Sequence, residues 1–144
     1  MRWQRAFTTT ELLAVMMLAG IVAALAAPHL GRWLTAMRLN AAARQLASDL
    51  QLSRMRAVAR NTPFQIRFDV ERDAYTVEQE GDGGTWQVLD HVRLPPGIDL
   101  LAATTNPVRF QPLGTVAAGT TITLKNPRGE RQVRVSFGGR IHVE

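Results

Sequence analysis

The sequence predicts an α+β protein in which one long N-terminal helix, transmembrane in its first half, is followed by an antiparallel β-rich globular domain. Three observations carry this reading. An unbroken apolar run spans Leu12–Ala27, a stripe at helical spacing continues from it to Ala57, and beyond Pro63 the apolar residues recur with period two. No helical stretch follows, so the helix serves as a spine packed against sheet.

The totals set limits. The 144 residues suit one domain plus an anchor, and with no cysteine neither a disulfide framework nor a thiolate metal site can form. The net charge of +5 is carried almost wholly by arginine, Lys125 being the single lysine. It is laid down in blocks: residues 32–60 are basic, 67–99 acidic with eight acids against three arginines, and 109–144 basic again. Such blocks suit docking to charged neighbours, and solvated faces equally.

The apolar run of 16 residues makes about 24 Å of helix. Extended back through Thr10 and Phe7 and on to Leu30, it reaches the length needed to cross a bilayer, and Arg2 and Arg5 ahead of it favour a cytoplasmic N-terminus. Glu11 stands at the edge of this run, where a charge costs roughly 2.5–3.5 kcal/mol on insertion scales. A cleaved signal peptide, with Ala24-Leu25-Ala26 as its small-x-small site, or a plain anchor would account for the apolarity. Neither accounts for Glu11 or for Phe7.

The stretch Ala6-Phe7-Thr8-Thr9-Thr10-Glu11 before an apolar helix resembles the class III signal of type IV pilins and pseudopilins. The resemblance implies a leader of residues 1–6, cleavage by a prepilin peptidase between Ala6 and Phe7, and methylation of the new amine. Glu11 is then the fifth mature residue, and Pro28 falls where the family's helix kinks. In a filament Glu11 would pair with the amine of Phe7 on a neighbouring subunit, which makes its buried charge tolerable and favours the assembled state. Three positions depart from the pattern: Ala6 replaces the usual glycine, and Thr9 and Thr10, whose hydroxyls can bond back to the helix backbone, replace bulky aliphatics. Residues 7–30 form the membrane and filament helix in this reading, 31–62 its amphipathic continuation and 63–144 the β-rich domain.

In the continuation, Leu39, Ala43, Leu46, Leu50, Ser53 and Ala57 fall on one face, and Arg38, Arg44, Arg56 and Arg60 largely off it. This narrow, Ala-rich stripe is read both as the packing face for the sheet and as a surface for lateral packing between subunits. Asn61 suits a helix C-terminus, and Pro63 cannot continue the ladder. "FQIRFDV" then places Phe64, Ile66, Phe68 and Val70 inward and Gln65, Arg67 and Asp69 outward. Glu71-Arg72-Asp73 turns the chain into "AYTVEQE", with Tyr75 and Val77 inward, and "GDGG" turns it again before "TWQVLDHVRL". Pro95-Pro96-Gly97 interrupts, and "NPVRF" opens another short strand. The final hairpin sets Ile122 and Leu124 against Val133, Val135 and Phe137 around Asn126-Pro127-Arg128-Gly129, with Ile141-His142-Val143 closing.

With its "ARQLASDLQLSRMRAVARN" helix, "VRFQPLGTV" segment and terminal "GGRIHV", the whole chain resembles the minor pseudopilins of the H type and their FimT-like pilin relatives. The resemblance implies a pseudopilin-like fold and a structural subunit at the tip of a type II secretion pseudopilus, aiding export across the outer membrane. Its partners would be other pseudopilins or minor pilins, the prepilin peptidase and the inner-membrane assembly platform. The chain would cross the bacterial inner membrane once, with its C-terminal domain in the periplasm. The alternative is a minor type IV pilin, FimT-like, in pilus assembly, for which DNA binding for uptake is a separate and further expectation. Some FimT-like members contact DNA through a Gly-Arg-x-Arg element, matched here by Gly139-Arg140-Ile141-His142; with Arg128, Arg131 and Arg134 this gives a candidate nucleic-acid-binding set of weak, salt-sensitive phosphate contacts.

No enzyme is implied and no cofactor. His29, His91 and His142 stand far apart without ligand spacing, no Gly-x-Ser-x-Gly elbow occurs, and "EGDGG" lacks the ligands of a calcium loop. Tyr75 and Trp86 read as core or cross-strand residues, and Trp33 as an interfacial anchor.

Overall fold

Helix α1 (Thr9–Arg60) begins where Thr8 can cap it: the Glu11 amide donates to the Thr8 hydroxyl at 3.3 Å and to its carbonyl at 3.1 Å. The computed structural model describes residues 8–144, leaving aside the side chains of residues 26–30 and 32. Ala6 and Phe7 lie outside the described residues, as does the side chain of Pro28. The chain divides between Leu34 and Thr35 into two units.

In the first unit every side chain from Thr8 to Leu25 is exposed, including Leu13, Met17, Leu18, Ile21 and Leu25. Among the described residues no helix is long and apolar enough to cross a membrane. The apolar run is described as far as Leu25, and the side chains of Ala26 and Ala27 lie beyond that description.

In the second unit α1 buries one face. Leu39, Ala43, Leu46, Leu50, Ser53 and Ala57 are all buried, joined by Ala42. Ser53 tolerates this because its hydroxyl donates to the Asp49 carbonyl one turn back, at 2.8 Å. The helix stops at Asn61, whose φ of 49° is the left-handed conformation that asparagine accepts more readily than most residues.

Eight strands follow: β1 (Phe64–Asp69), β2 (Ala74–Glu80), β3 (Trp86–Arg93), β4 (Asp99–Ala103), β5 (Val108–Phe110), β6 (Thr120–Asn126), β7 (Gly129–Val135) and β8 (Ile141–Val143). They form two antiparallel four-stranded sheets, ordered β3-β2-β1-β5 and β4-β6-β7-β8. A single core draws on the helix stripe, on Phe64, Ile66, Phe68, Tyr75 and Phe110 of the first sheet, and on Leu100, Ile122, Leu124, Val133 and Val135 of the second. The Tyr75 hydroxyl donates to the Asp49 carboxylate at 2.6 Å, tying helix to sheet. Burial, with the hydrogen bond to Asp49 adding to it, raises the Tyr75 phenol above the ordinary tyrosine range.

Several expectations change. The Leu39–Ala57 stripe is consumed by the domain's own core and offers nothing for lateral packing; the helix instead presents Leu52, Met55 and Val58 to solvent. Gln65 is fully buried although it faces away from the Phe64–Phe68 row, because a polar network encloses it. Val70 is exposed just past the end of β1. Phe137 is exposed beyond the end of β7, so Ile122 stands opposite Val133, Leu124 opposite Arg131 and Thr120 opposite Val135. Strand β4 was not foreseen: "DLLAA" has neither alternation nor β-branched residues, and the ladder is irregular between Leu100 and Ala102.

Leu46 lies at the centre of the helix stripe and is fully buried. Leu46→Ala should lower the unfolding free energy by about 2–5 kcal/mol through lost burial and the cavity left behind. Denaturant unfolding measures it, and a loss below about 1 kcal/mol would mean that this face is not the core.

Candidate assembly site

Glu11 occupies the first turn of α1, three residues after the capping Thr8. Thr8-Thr9-Thr10-Glu11 has the spacing of a capping box, and a carboxylate in the first turn faces the positive end of the helix dipole. Glu11 therefore has a local role in starting the helix as well as any role between subunits. Sequence reading passed over Thr8, although threonine three residues before glutamate at the head of an apolar helix is the signal that finds it.

The five candidate nucleic-acid residues do not converge. Arg128 sits in the turn between β6 and β7, where its amide donates to Asn126 Oδ1 at 2.8 Å. The Arg131 Nε–H donates to Asn40 Oδ1 of α1 at 2.7 Å, drawing that guanidinium toward the helix. Arg134 pairs with Glu144 at 3.1 Å, and its cross-strand partner is His142. Arg140 lies in the turn after β7, held through its amide by the Ser136 hydroxyl at 3.2 Å. Only Arg134 and His142 are brought side by side, while Arg128 and Arg140 stand beyond opposite ends of β7.

Arg54 of α1 organises the turns at that end. Its guanidinium donates to the carbonyls of Gly114 at 2.9 Å and Gly138 at 3.4 Å. Gly139 is required there: its φ is +74°, and a Cβ would lie 2.0 Å from the Gly114 carbonyl oxygen. Next to these turns Leu113 and Phe137 project into solvent, and a Cβ at Gly114 would lie 3.1 Å from the exposed Val58.

On the first sheet, the face opposite the core carries a buried carboxylate. Glu78 accepts from the Gln65 amide, from the Arg67 Nε–H at 3.2 Å and from the Thr76 hydroxyl at 3.0 Å. Arg109 donates to the Gln65 side-chain Oε1 at 3.4 Å and lies 4.8 Å from the centre of the Trp86 ring, which closes the network. Among the described residues no group of acids and histidines is arranged to hold a metal.

The fold is a long helix followed by a β-domain of two antiparallel sheets, tied within itself by side chains such as Asp49, Tyr75, Arg54 and Arg131. The family described as Type II transport protein GspH matches residues 42–139, about two thirds of the chain. The chain belongs to this family and is a minor pseudopilin of the type II secretion system. Among solved structures, the minor pseudopilin EpsH from the Type 2 Secretion System of Vibrio cholerae matches with TM-score 0.65 and 18% identity, over 74% of this chain and 96% of that one. The type IV minor pilin FimU of Pseudomonas aeruginosa matches with TM-score 0.62 and 20% identity, over 74% and 87% respectively. At these identities the likeness is one of fold. No curated protein matches the sequence significantly.

Desolvation acts to raise the Glu78 pKa, but the hydrogen bonds from Gln65, Arg67 and Thr76 together outweigh it and hold the carboxyl below its usual value of 4.5. A depressed carboxyl stabilises the fold above the unfolded-state pKa, and that stability is lost as pH falls through the folded-state value. Glu78→Gln should cost about 1–3 kcal/mol at neutral pH and bring the two stability curves together in acid. Urea unfolding across pH tests this; a constant gap between the curves would remove the ionised carboxylate from the explanation.

Proposed function

We propose that this minor pseudopilin is held in the bacterial inner membrane by the first half of α1, with the unit that follows in the periplasm, and that it joins the tip of the pseudopilus through Glu11. One observation carries the proposal: the side chains of Leu12–Leu25 are exposed all round the helix. A helix apolar on every side needs hydrocarbon or other helices around it. Trp33, 60% exposed just past the apolar run, suits the headgroup level.

Maturation by prepilin peptidase between Ala6 and Phe7 leaves an amine on Phe7, four residues before Glu11. That amine on a neighbouring pseudopilin is the counter-charge for Glu11. Desolvated by surrounding helices, the pair contributes most when complete, since breaking it leaves one charge buried alone. The assembly platform and the other pseudopilins are then its partners, and secretion across the outer membrane the outcome.

The test compares wild type with Glu11→Gln, which keeps the polar capping group, and Glu11→Ala, which does not. Intact mass of the membrane-extracted proteins should show all three starting at a methylated Phe7. Partner pseudopilins recovered with each from membranes should fall sharply for both variants, by a loss of about 3–5 kcal/mol for a well-buried pair. Recovery with Glu11→Gln equal to wild type would reduce Glu11 to its capping role. A mature chain starting at Ala27 would mean ordinary signal-peptidase cleavage and end the proposal.

A further inference from the structure

Helix α1 is a ruler for the second unit, which begins at Thr35. There the buried Asn126, last residue of β6, donates its side-chain amide to the Thr35 carbonyl at 2.8 Å. Its Oδ1 accepts the Arg128 amide at 2.8 Å, so the Pro127-Arg128 turn is clipped to the first residue of the unit. The turn beyond the other end of β7 is held elsewhere, by Arg54, which donates to the Gly138 carbonyl at 3.4 Å. Arg54 follows Thr35 by nineteen residues, about 28 Å further along the helix.

In the anchoring proposed above the hydrocarbon ends near Leu30, and Thr35 is five residues on, about 7.5 Å in helical form. The headgroup layer adds about 5–8 Å beyond the hydrocarbon, and charge is felt through about 8 Å more at physiological salt. Arg38, one turn past Thr35, and Arg128 fall within that reach, whereas Arg140, on the turn held by Arg54, falls outside it. Arg38 and Arg128 are exposed, and among the described residues neither guanidinium has a hydrogen-bond or ion-pair partner. Arg131 also keeps its charge, since its partner Asn40 is neutral. Lys125 is offset by Glu130 at 3.5 Å and faces Asp99 across the β4–β6 ladder. Glu71 and Asp73, at the end of the first sheet, are matched by Arg72 and Arg93 around one cavity. Four cations near Thr35 and Asn126 thus meet two acids, Glu130 and Asp99, and the end of the unit nearest the membrane is positive.

We propose that Arg38 and the Arg128 turn dock on anionic phospholipid headgroups of the membrane that α1 leaves, so that the unassembled subunit rests with this end of its β-domain on the membrane face. A guanidinium fits a phosphate with two parallel hydrogen bonds. Asn126 already fixes the backbone that presents Arg128, so little ordering remains to be done on contact. Each cation near an anionic surface raises the affinity about fivefold. The proposal rests on the anchoring reading and is independent of Glu11.

The chain has no cysteine, so Pro127→Cys gives a single labelling site on the exposed turn. The full chain, labelled there with a fluorophore, is placed in lipid nanodiscs that contain a phospholipid with a spin-labelled, quenching headgroup. Quenching should be strong in phosphatidylcholine mixed with phosphatidylglycerol, weak in phosphatidylcholine alone, and relieved by salt at about 1 M. Arg38→Gln and Arg128→Gln should each lower the ratio of docked to free turn about fivefold, and together about 25-fold. Arg140→Gln, which removes an equally exposed arginine at the far end of β7, should leave it unchanged. Quenching that is equal in the two lipids, indifferent to the double substitution, or lost to the same extent with Arg140→Gln would overturn the docking. Entry of the chain into phosphatidylcholine discs reports anchoring separately: a chain that enters but is quenched alike in both lipids ends the docking alone, and one that enters neither ends both.

Discussion

The fold depends on one contact, the burial of a single helical face beneath two sheets. Ala42, Ala43, Ser53 and Ala57 keep that face shallow, and Leu39, Leu46 and Leu50 supply its apolar bulk. Small residues let the helix and the strands approach closely, and each desolvated leucine is worth about 1.5–3 kcal/mol. Neither sheet has so continuous an apolar surface of its own. Strand β3 is exposed over most of its length, and β5 and β8 have three residues each. Four-stranded sheets this irregular need a common partner, and the helix provides it.

Committing that face inward decides what remains for assembly. The second half of α1 can offer neighbours only its outer surface, with Leu52, Met55 and Val58, and the turns carrying Leu113 and Phe137. The first half offers apolar side chains on every side. Polar chemistry is mostly internal: Asp49 with Tyr75, Arg54 with the Gly114 and Gly138 carbonyls, Asn40 with Arg131, and Glu78 with its three donors. These ties join helix to sheet and turn to turn within the domain.

Much of this was legible in the residues. The helix stripe was read correctly from its spacing because a long amphipathic helix repeats its signal over several turns, and the stop at Asn61 because αL geometry and Pro63 agree. The strands showed where alternation is strict, as at Phe64–Phe68 and Val133–Val135. β4 was hidden because its Leu and Ala residues carry no period, and because its place depends on pairing with β6 some twenty residues away. Gln65 and Glu78 read as surface residues; their burial comes from long arginine side chains and Trp86 folding over them, a tertiary effect without a local pattern. The candidate basic set failed to gather for a related reason. Residues adjacent in a hairpin alternate between its faces, so Arg131 and Arg134 part company, one to Asn40 and the other to Glu144.

Native-state hydrogen exchange along α1 tests the central contact most directly. If the stripe holds both sheets, the amides of residues 43–57 and those of β1, β2, β6 and β7 should exchange through one common opening, with the same free energy and the same sensitivity to denaturant. Leu46→Ala should lower all of them together. Helix amides that open well below the strand amides, and strands left unmoved by that substitution, would show the sheets standing without the helix and would contradict the dependence set out above.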